Sequence, residues 1–226
     1  GVRHVALYTM AQGILKTDSD FMGVAFKGVG ADYDLSFLRS HLTEGAIPRF
    51  TNGKSSYPLL ISRSMADKLH LKAGSKVYAY FIGNEGVRAR RFTISGIYQT
   101  NMTRFDENLC FTDLHTVVKL QGWEKGLCTG AEILVSDFDN LDRTADAFID
   151  NINRQKDEYG NTYSSQTIHD AYPQVFNWLE LLDINVWIIL ALMIAVAGFT
   201  MTSGLLIIIL ERTQMIGVLK AIGARN

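Results

Sequence analysis

Apolar residues alternate or cluster over short spans at Val2–Leu7 and Phe21–Val29, which predicts two strands joined through Lys16–Asp20. The segment KGVGADYDLSFLRSHLTEGAIP places its glycines and Asp32 in a loop. A short helix should follow, with Leu35, Leu38 and Leu42 on one face, closed by Gly45 and Pro48. A second block opens at Tyr57 with YPLLIS as a strand, RSMADKLHL as a helix, AGSKVYAYFI as a strand and VRARRFTISGIYQT as a longer one. In that last strand Arg88, Arg90 and Arg91 leave the first half more solvated than the second. FDENLCFTDLHTVVKLQGW then predicts a strand through Leu109–Phe111 and a helix capped by Thr112 or Asp113 and stopped by Gly122. AEILVS reads as a strand. A helix follows with Leu141, Ala145, Phe148, Ile149 and Ile152 on one face, ended at Gly160.

The final pattern differs in kind. Tyr172, Val175, Phe176, Leu179 and Leu182 keep a helical period that runs past Pro173 into an uncharged apolar run, Val186–Leu210, long enough to cross a bilayer core of about 30 Å. A charged turn at Glu211 and Arg212 should follow, then a short amphipathic helix carrying Met215, Ile216, Leu219 and Ile222 on one face and stopped at Gly223. The expected class is therefore α+β. A bilobed domain at 1–166 holds an inserted lobe at about 55–128, followed by a stalk helix at 167–185, a transmembrane helix at 186–210 and a tail at 211–226. The tail's apolar face suits either a lipid surface or a groove in a partner.

Charge orients this plan. No Lys or Arg occurs between Lys156 and Arg212, the upstream flank carries Asp170, Glu180 and Asp183, and the downstream flank carries Arg212, Lys220 and Arg225. The tail is then expected inside the cell and the large domain outside. A net charge of −1 over 226 residues, with both signs mixed, gives no basic face for nucleic acid. The opening at Gly1 shows no basic and apolar leader pattern. Cys110 and Cys128 form no CxxC pair, and both a bridge and two buried thiols stay open.

Catalytic patterns are missing from the sequence. It contains no GxSxG elbow, HExxH pair or nucleotide loop, and Gly28 and Gly30 read as a turn. His4, His41, His70, His115 and His169 are scattered singly, and the adjacent Asp106 and Glu107 diverge in a turn. The chain is expected not to be an enzyme and to need no cofactor and no metal. Gly198, Thr200, Thr202, Ser203 and Gly204 allow close approach of another helix, which favours a helix bundle over a lone anchor.

The segment ERTQMIGVLKAIGA resembles the signature that follows the second membrane helix in permeases of the MacB/FtsX type, the membrane subunits of type VII ABC transporters. SRSMADKLHLKAGSKVYAYF, FTISGIYQT, FDENLCFTDLHTVVKLQGW, GAEILVS and the KGVGADYD loop, in that order, extend the resemblance to the lipoprotein-releasing LolC/LolE branch. The resemblance implies a MacB-like periplasmic domain with a porter-like lobe and an inserted lobe, in an inner-membrane protein of four membrane helices. It implies two permease subunits, alike or different, working with two cytoplasmic ABC ATPases. ATP hydrolysis would drive outer motion by mechanotransmission, releasing a lipoprotein to a periplasmic chaperone. ATPase coupling would fall on Glu211, Arg212, Met215, Ile216, Gly217, Leu219, Lys220 and Gly223. Two departures stand out: Gly74-Ser75 replaces the usual Gly-Asp, and Pro48, Pro58 and Pro173 form no proline-rich hook. The alternatives are an exporter or cell-division regulator of the same superfamily, or a single-span sensor with a ligand-binding outer domain.

Overall fold

A computed structural model describes residues 2–50, 57–83, 86–124, 126–137, 141–156, 160 and 162–223. The strands are β1 (Val2–Lys16), β2 (Phe21–Val29), β3 (Leu42–Gly45), β4 (Pro58–Ser62), β5 (Lys76–Gly83), β6 (Gly86–Tyr98), β7 (Leu109–Asp113) and β8 (Gly130–Val135). The helices are α1 (Ser36–Ser40), α2 (Arg63–Lys68), α3 (Thr103–Asn108), α4 (Leu114–Gln121), α5 (Leu141–Ile152), α6 (Ile168–Ala171) and α7 (Pro173–Ala221). The chain divides into two compact units, residues 1–138 and 139–226. It is an α+β chain ending in one long apolar helix.

In the first unit, the sheet order β2-β7-β4-β6-β5-β1 closes on itself because β1 also pairs with β2. Residues 13–16 of β1 make this concrete: they pair with residues 24–21 of β2 and with residues 81–78 of β5. Closure leaves those strands without a free edge. Two parallel pairings, β2 with β7 and β4 with β6, are mixed with antiparallel ones, and the thinnest seam is the single pair Leu60–Phe111 between β4 and β7. Outside the ring, β3 pairs with β6 and β8 pairs with β1.

Burial follows the pleat. Leu15, Val24, Phe26, Leu59, Ile61, Val77, Ala79, Phe81, Phe92, Ile94 and Cys110 belong to one buried cluster, with Met65, Leu69, Val117 and Leu120 of α2 and α4 packed into it. Alternate residues of the same strands, Val29, Leu60, Tyr98 and Phe111, join Leu38 and Phe50 in a second cluster on the opposite face. Because β4 is covered on both faces, all of PLLIS is buried, which is why it reads as a continuous apolar run rather than an alternating one. Phe26 anchors the first cluster with its centroid 4.7 Å from Phe81 and 5.7 Å from Phe92. Gly13 makes room for these rings: a Cβ there would lie 2.9 Å from Phe26 Cε2 and 3.1 Å from Phe81 Cδ1.

Local signals behave as their chemistry requires. The Ser62 hydroxyl caps α2 by accepting from the Met65 N–H at 3.1 Å and donates to the Asp106 carbonyl. Asp113 caps α4 by accepting from the Thr116 N–H at 3.3 Å, and Gly122 ends that helix at φ +78°, both as expected. β6 has a solvated first half and a buried second half, also as expected.

Three expectations change. β1 extends to Lys16, well past Leu7, because pairing with β2 and β5 holds residues 8–16 straight despite their weak alternation. The helix drawn through Leu35, Leu38 and Leu42 stops at Ser40, and Leu42 instead starts β3, opposite Tyr98. α5 ends at Ile152, not near Gly160. β1 and β2 build one barrel with β4–β7, a pairing over long sequence distances that local periodicity does not encode. Residues 55 and 56, at the start of the inserted lobe expected at about 55–128, lie outside the described residues. Cys110 and Cys128 are both free thiols, the first buried and the second half-buried.

In the second unit, Asn153 Oδ1 accepts from the Ser165 N–H and hydroxyl, each at 2.8 Å, folding the segment after α5 back on itself. A capping box then starts α6: Thr167 Oγ1 accepts from the Asp170 N–H at 3.1 Å, while the Asp170 carboxylate accepts from the Thr167 N–H at 3.0 Å. The Thr167 hydroxyl, which donates to the same carboxylate at 2.7 Å, and then the Thr167 N–H hold the Asp170 carboxyl below its usual range. α7 begins with Pro173 in its first turn, where the missing N–H costs nothing, and continues for 49 residues.

Candidate functional site

α7 is the element on which the expected site sits. At about 1.5 Å per residue it is roughly 74 Å long, more than twice the thickness of a bilayer core. It is the one helix among the described residues long and apolar enough to cross a membrane. Apart from the half-buried Phe176 its side chains are exposed, with Trp187, Phe199 and Met201 each 70% exposed or more. An apolar surface of that extent is stable only in lipid or against other apolar helices.

The eight residues singled out for coupling fall at its end. Glu211, Arg212, Met215, Ile216, Gly217, Leu219 and Lys220 lie within α7, and Gly223 follows just past it at φ +100°. The charged turn expected at Glu211 and Arg212 is helix, continuous with the apolar run. The reason is local: the sequence from Leu205 to Ala221 holds no proline, and its one glycine, Gly217, costs only about 1 kcal/mol in a helix. Thr213 stays within the helical pattern by donating its hydroxyl to the Ile209 carbonyl at 3.3 Å. Helical geometry brings Met215, Ile216, Leu219 and Ile222 to one face, all about half exposed or more, with Arg212 and Lys220 at its border. Residues 224–226 of the expected tail lie outside the described residues.

Two polar groupings in the first unit were not anticipated. Lys27 of β2 is only 9% exposed, yet its ammonium is fully engaged: it pairs with Glu132 of β8 and donates to the Tyr33 hydroxyl at 3.0 Å. The Tyr33 hydroxyl donates to the other Glu132 oxygen at 2.6 Å, and Lys27 Nζ sits 5.1 Å from the ring centroids of both Tyr8 and Tyr33. Burial, and then the neighbouring Glu132 carboxylate, push the Tyr33 phenol well above its usual range. A cleft of about 210 Å³ opens beside the cluster, lined by His4, Asp34, Phe37 and Leu134 among others. The signal for this cluster was a lysine inside the otherwise apolar strand FMGVAFKGV.

The second grouping surrounds Asp106. Its buried carboxylate accepts from the backbone N–H groups of Thr100 and Asn101, at 3.1 and 3.0 Å, and from the Thr100 hydroxyl at 2.7 Å. With all of these bonds in place it organises the turn after β6, where Asn101 is held at φ +62°. Of the arginines in the solvated half of β6, Arg88 closes the end of α4 by donating to the carbonyls of Lys119 and Leu120, while Arg91 is exposed. The histidines stay apart, and no group of metal-ligating side chains occurs among the described residues.

No protein-family profile matches the chain. It is 23% identical over 232 aligned residues to a lipoprotein-releasing system transmembrane protein LolC from Neisseria meningitidis, an alignment that covers 99% of this chain and 54% of that protein. The chain thus spans about half the length of this curated relative. Among solved structures, the extracellular domain of the noncanonic ABC-type transporter YknZ from Gram-positive bacteria aligns at 15% identity and TM-score 0.46, over 67% of this chain and 76% of that one. The periplasmic region of MacB from Actinobacillus actinomycetemcomitans aligns at 16% identity and TM-score 0.46, over 66% and 65%. A domain of a putative permease protein from Porphyromonas gingivalis aligns at 16% and TM-score 0.39, over 76% and 80%. Across nearly its whole length, the chain is similar in sequence to LolC.

Proposed function

We propose that the chain is part of the permease subunit of a lipoprotein-releasing ABC transporter. The observation that carries this reading is the alignment with LolC, which runs through the first unit, the apolar helix and the residues after it. In this reading residues 1–166 stand outside the inner membrane, 167–185 form a stalk, 186–210 cross the bilayer, and 211–226 reach the cytoplasm. Met215, Ile216 and Leu219, bordered by Arg212 and Lys220, seat in a groove of a cytoplasmic ATPase. From Pro173 onward the stalk, the span and the coupling face lie on one helix, α7, with no flexible break that would absorb motion between them. ATP hydrolysis in the partner therefore moves the outer unit, and the chain itself does no covalent chemistry. A second permease subunit completes the membrane part, and the lipoprotein passes from the outer leaflet to a periplasmic chaperone.

Co-purification of the full-length protein with its ATPase tests the coupling face. Met215→Asp with Ile216→Asp is expected to abolish the association, since two charges replace an apolar contact, while the outer unit keeps its unfolding midpoint. Undiminished association would remove the coupling assignment. Depletion of the protein is expected to leave lipoproteins in the inner membrane. Normal lipoprotein sorting together with an intact ATPase complex would favour the exporter or cell-division reading instead.

A further inference from the structure

β8 is attached to the first unit in an unusual way. Among the described residues its only strand partner is β1, and none of its six residues is buried; Ile133 and Leu134 are each more than a third exposed. Apolar burial, which holds β4 and β6 in place, therefore contributes little here. Its two ends also differ. At the start, the Thr129 N–H donates to the Tyr8 carbonyl at 3.1 Å and Thr129 Oγ1 accepts from the Met10 N–H at 2.9 Å. At the far end the ladder is irregular, with a register shift between the pairs Val2–Val135 and His4–Leu134. Between the ends a single side chain of β8 reaches a buried group: Glu132 meets Lys27 and Tyr33. The Tyr33 loop is itself pinned to β1, since His4 Nε2 donates to the Asp32 carbonyl at 2.6 Å.

We propose that β8 is a detachable strap, hinged at Thr129 and fastened to the barrel by the Lys27–Tyr33–Glu132 cluster, so that the chain beyond Val135 can lift away while the barrel stays folded. The asymmetry of the cluster fits such a fastener. When β8 lifts, Glu132, whose side chain is already 40% exposed, goes into water at little cost. Lys27, at 11% side-chain exposure, keeps the Tyr33 hydroxyl and the faces of Tyr8 and Tyr33. The barrel side of the fastener is thus left with partners, which makes opening reversible. A strap held by buried leucines would carry a larger apolar surface into water each time it opened.

Hydrogen exchange of the full chain in detergent micelles tests this. Lys27→Met is expected to raise exchange in residues 130–135 and 2–8 by about tenfold or more, the size of a lost charge-assisted hydrogen bond, while residues 59–61 and 92–98 exchange as before. Tyr33→Phe, which keeps the ion pair, should raise exchange in the same two segments by a smaller factor and carries the test if Lys27→Met does not fold. A rise shared evenly with the barrel strands would show that the cluster stabilises the whole unit, and no rise in either variant would show that it fastens nothing; both results overturn the proposal.

Discussion

The barrel and α7 place similar apolar residues in opposite settings. In the barrel, Phe26, Leu59, Ile61, Phe92 and Ile97 are fully enclosed by their own unit, and ring closure satisfies the backbone as well. In α7, Leu192, Ile194, Leu206 and Ile209 are more than half exposed, and only the helix's own hydrogen bonds are satisfied internally. A barrel is a complete solution to burying its residues; a lone apolar helix is half of one, and the bilayer or another helix must supply the rest. This division tells where each part acts. The first unit can hold a shape in water, whereas α7 acquires its meaning from what surrounds it.

That contrast can be broken most directly at the barrel centre. Phe92→Ala removes a ring that packs on both Phe26 and Phe81, and is expected to lower the stability of the first unit by about 3–5 kcal/mol, read from the denaturant midpoint of the detergent-solubilised chain. Leu192→Ala, in the exposed run, should leave that midpoint where it is; a comparable drop would mean the two parts are not energetically separate. The converse experiment is Leu192→Arg, expected to raise the cost of membrane insertion by about 3–4 kcal/mol in a glycosylation-mapping assay, with the barrel unaffected. Insertion as efficient as wild type would show that 186–210 is not the span.

Gly13→Val sharpens the comparison by overfilling the barrel rather than emptying it. The added carbons meet Phe26 and Phe81, and the expected loss is about 1–3 kcal/mol in the same midpoint. Gly204→Val is the matching change in α7, where nothing lies within 4 Å of the added Cβ, and should leave the midpoint unmoved. The smallest effect concerns the start of the second unit. Asp170 has a depressed folded pKa, so its capping contribution is fully present above the ordinary carboxylate pKa and is lost as pH falls through the folded value. Protection of the α6 amides, taken relative to their intrinsic exchange rates at each pH, should therefore fall in acid, and Thr167→Ala should remove most of that pH dependence.

Several features were legible because their causes are local. Asp113 and Gly122 bracket α4, RSMADK forms a helix, and PLLIS forms a strand; each depends on residues within a few positions of itself. The uncharged run Val186–Leu210 is likewise a helix on length and composition alone. Leu42 shows the limit. Its spacing from Leu35 and Leu38 fits a helix, but pairing with Tyr98 of β6, over fifty residues away, makes it a strand. Met215, Ile216, Leu219 and Ile222 were placed on one helix face by their period, and the coupling role came only from the family resemblance; Lys27 stood out in its apolar strand, but its partner Glu132, more than a hundred residues away, did not.

By itself the sequence determined the α+β character, most element types, the caps, and the presence of one apolar helix with a charged end, since propensity, capping and hydrophobic period act within a few turns of chain. Only the tertiary structure decided that β1 and β2 close a barrel with β4–β7, that the end of α7 continues without a turn, and that Glu132 fastens β8 to Lys27. Ring closure and buried ion pairs join residues far apart in the chain, and their energies depend on what folding brings together rather than on what the neighbouring residues are.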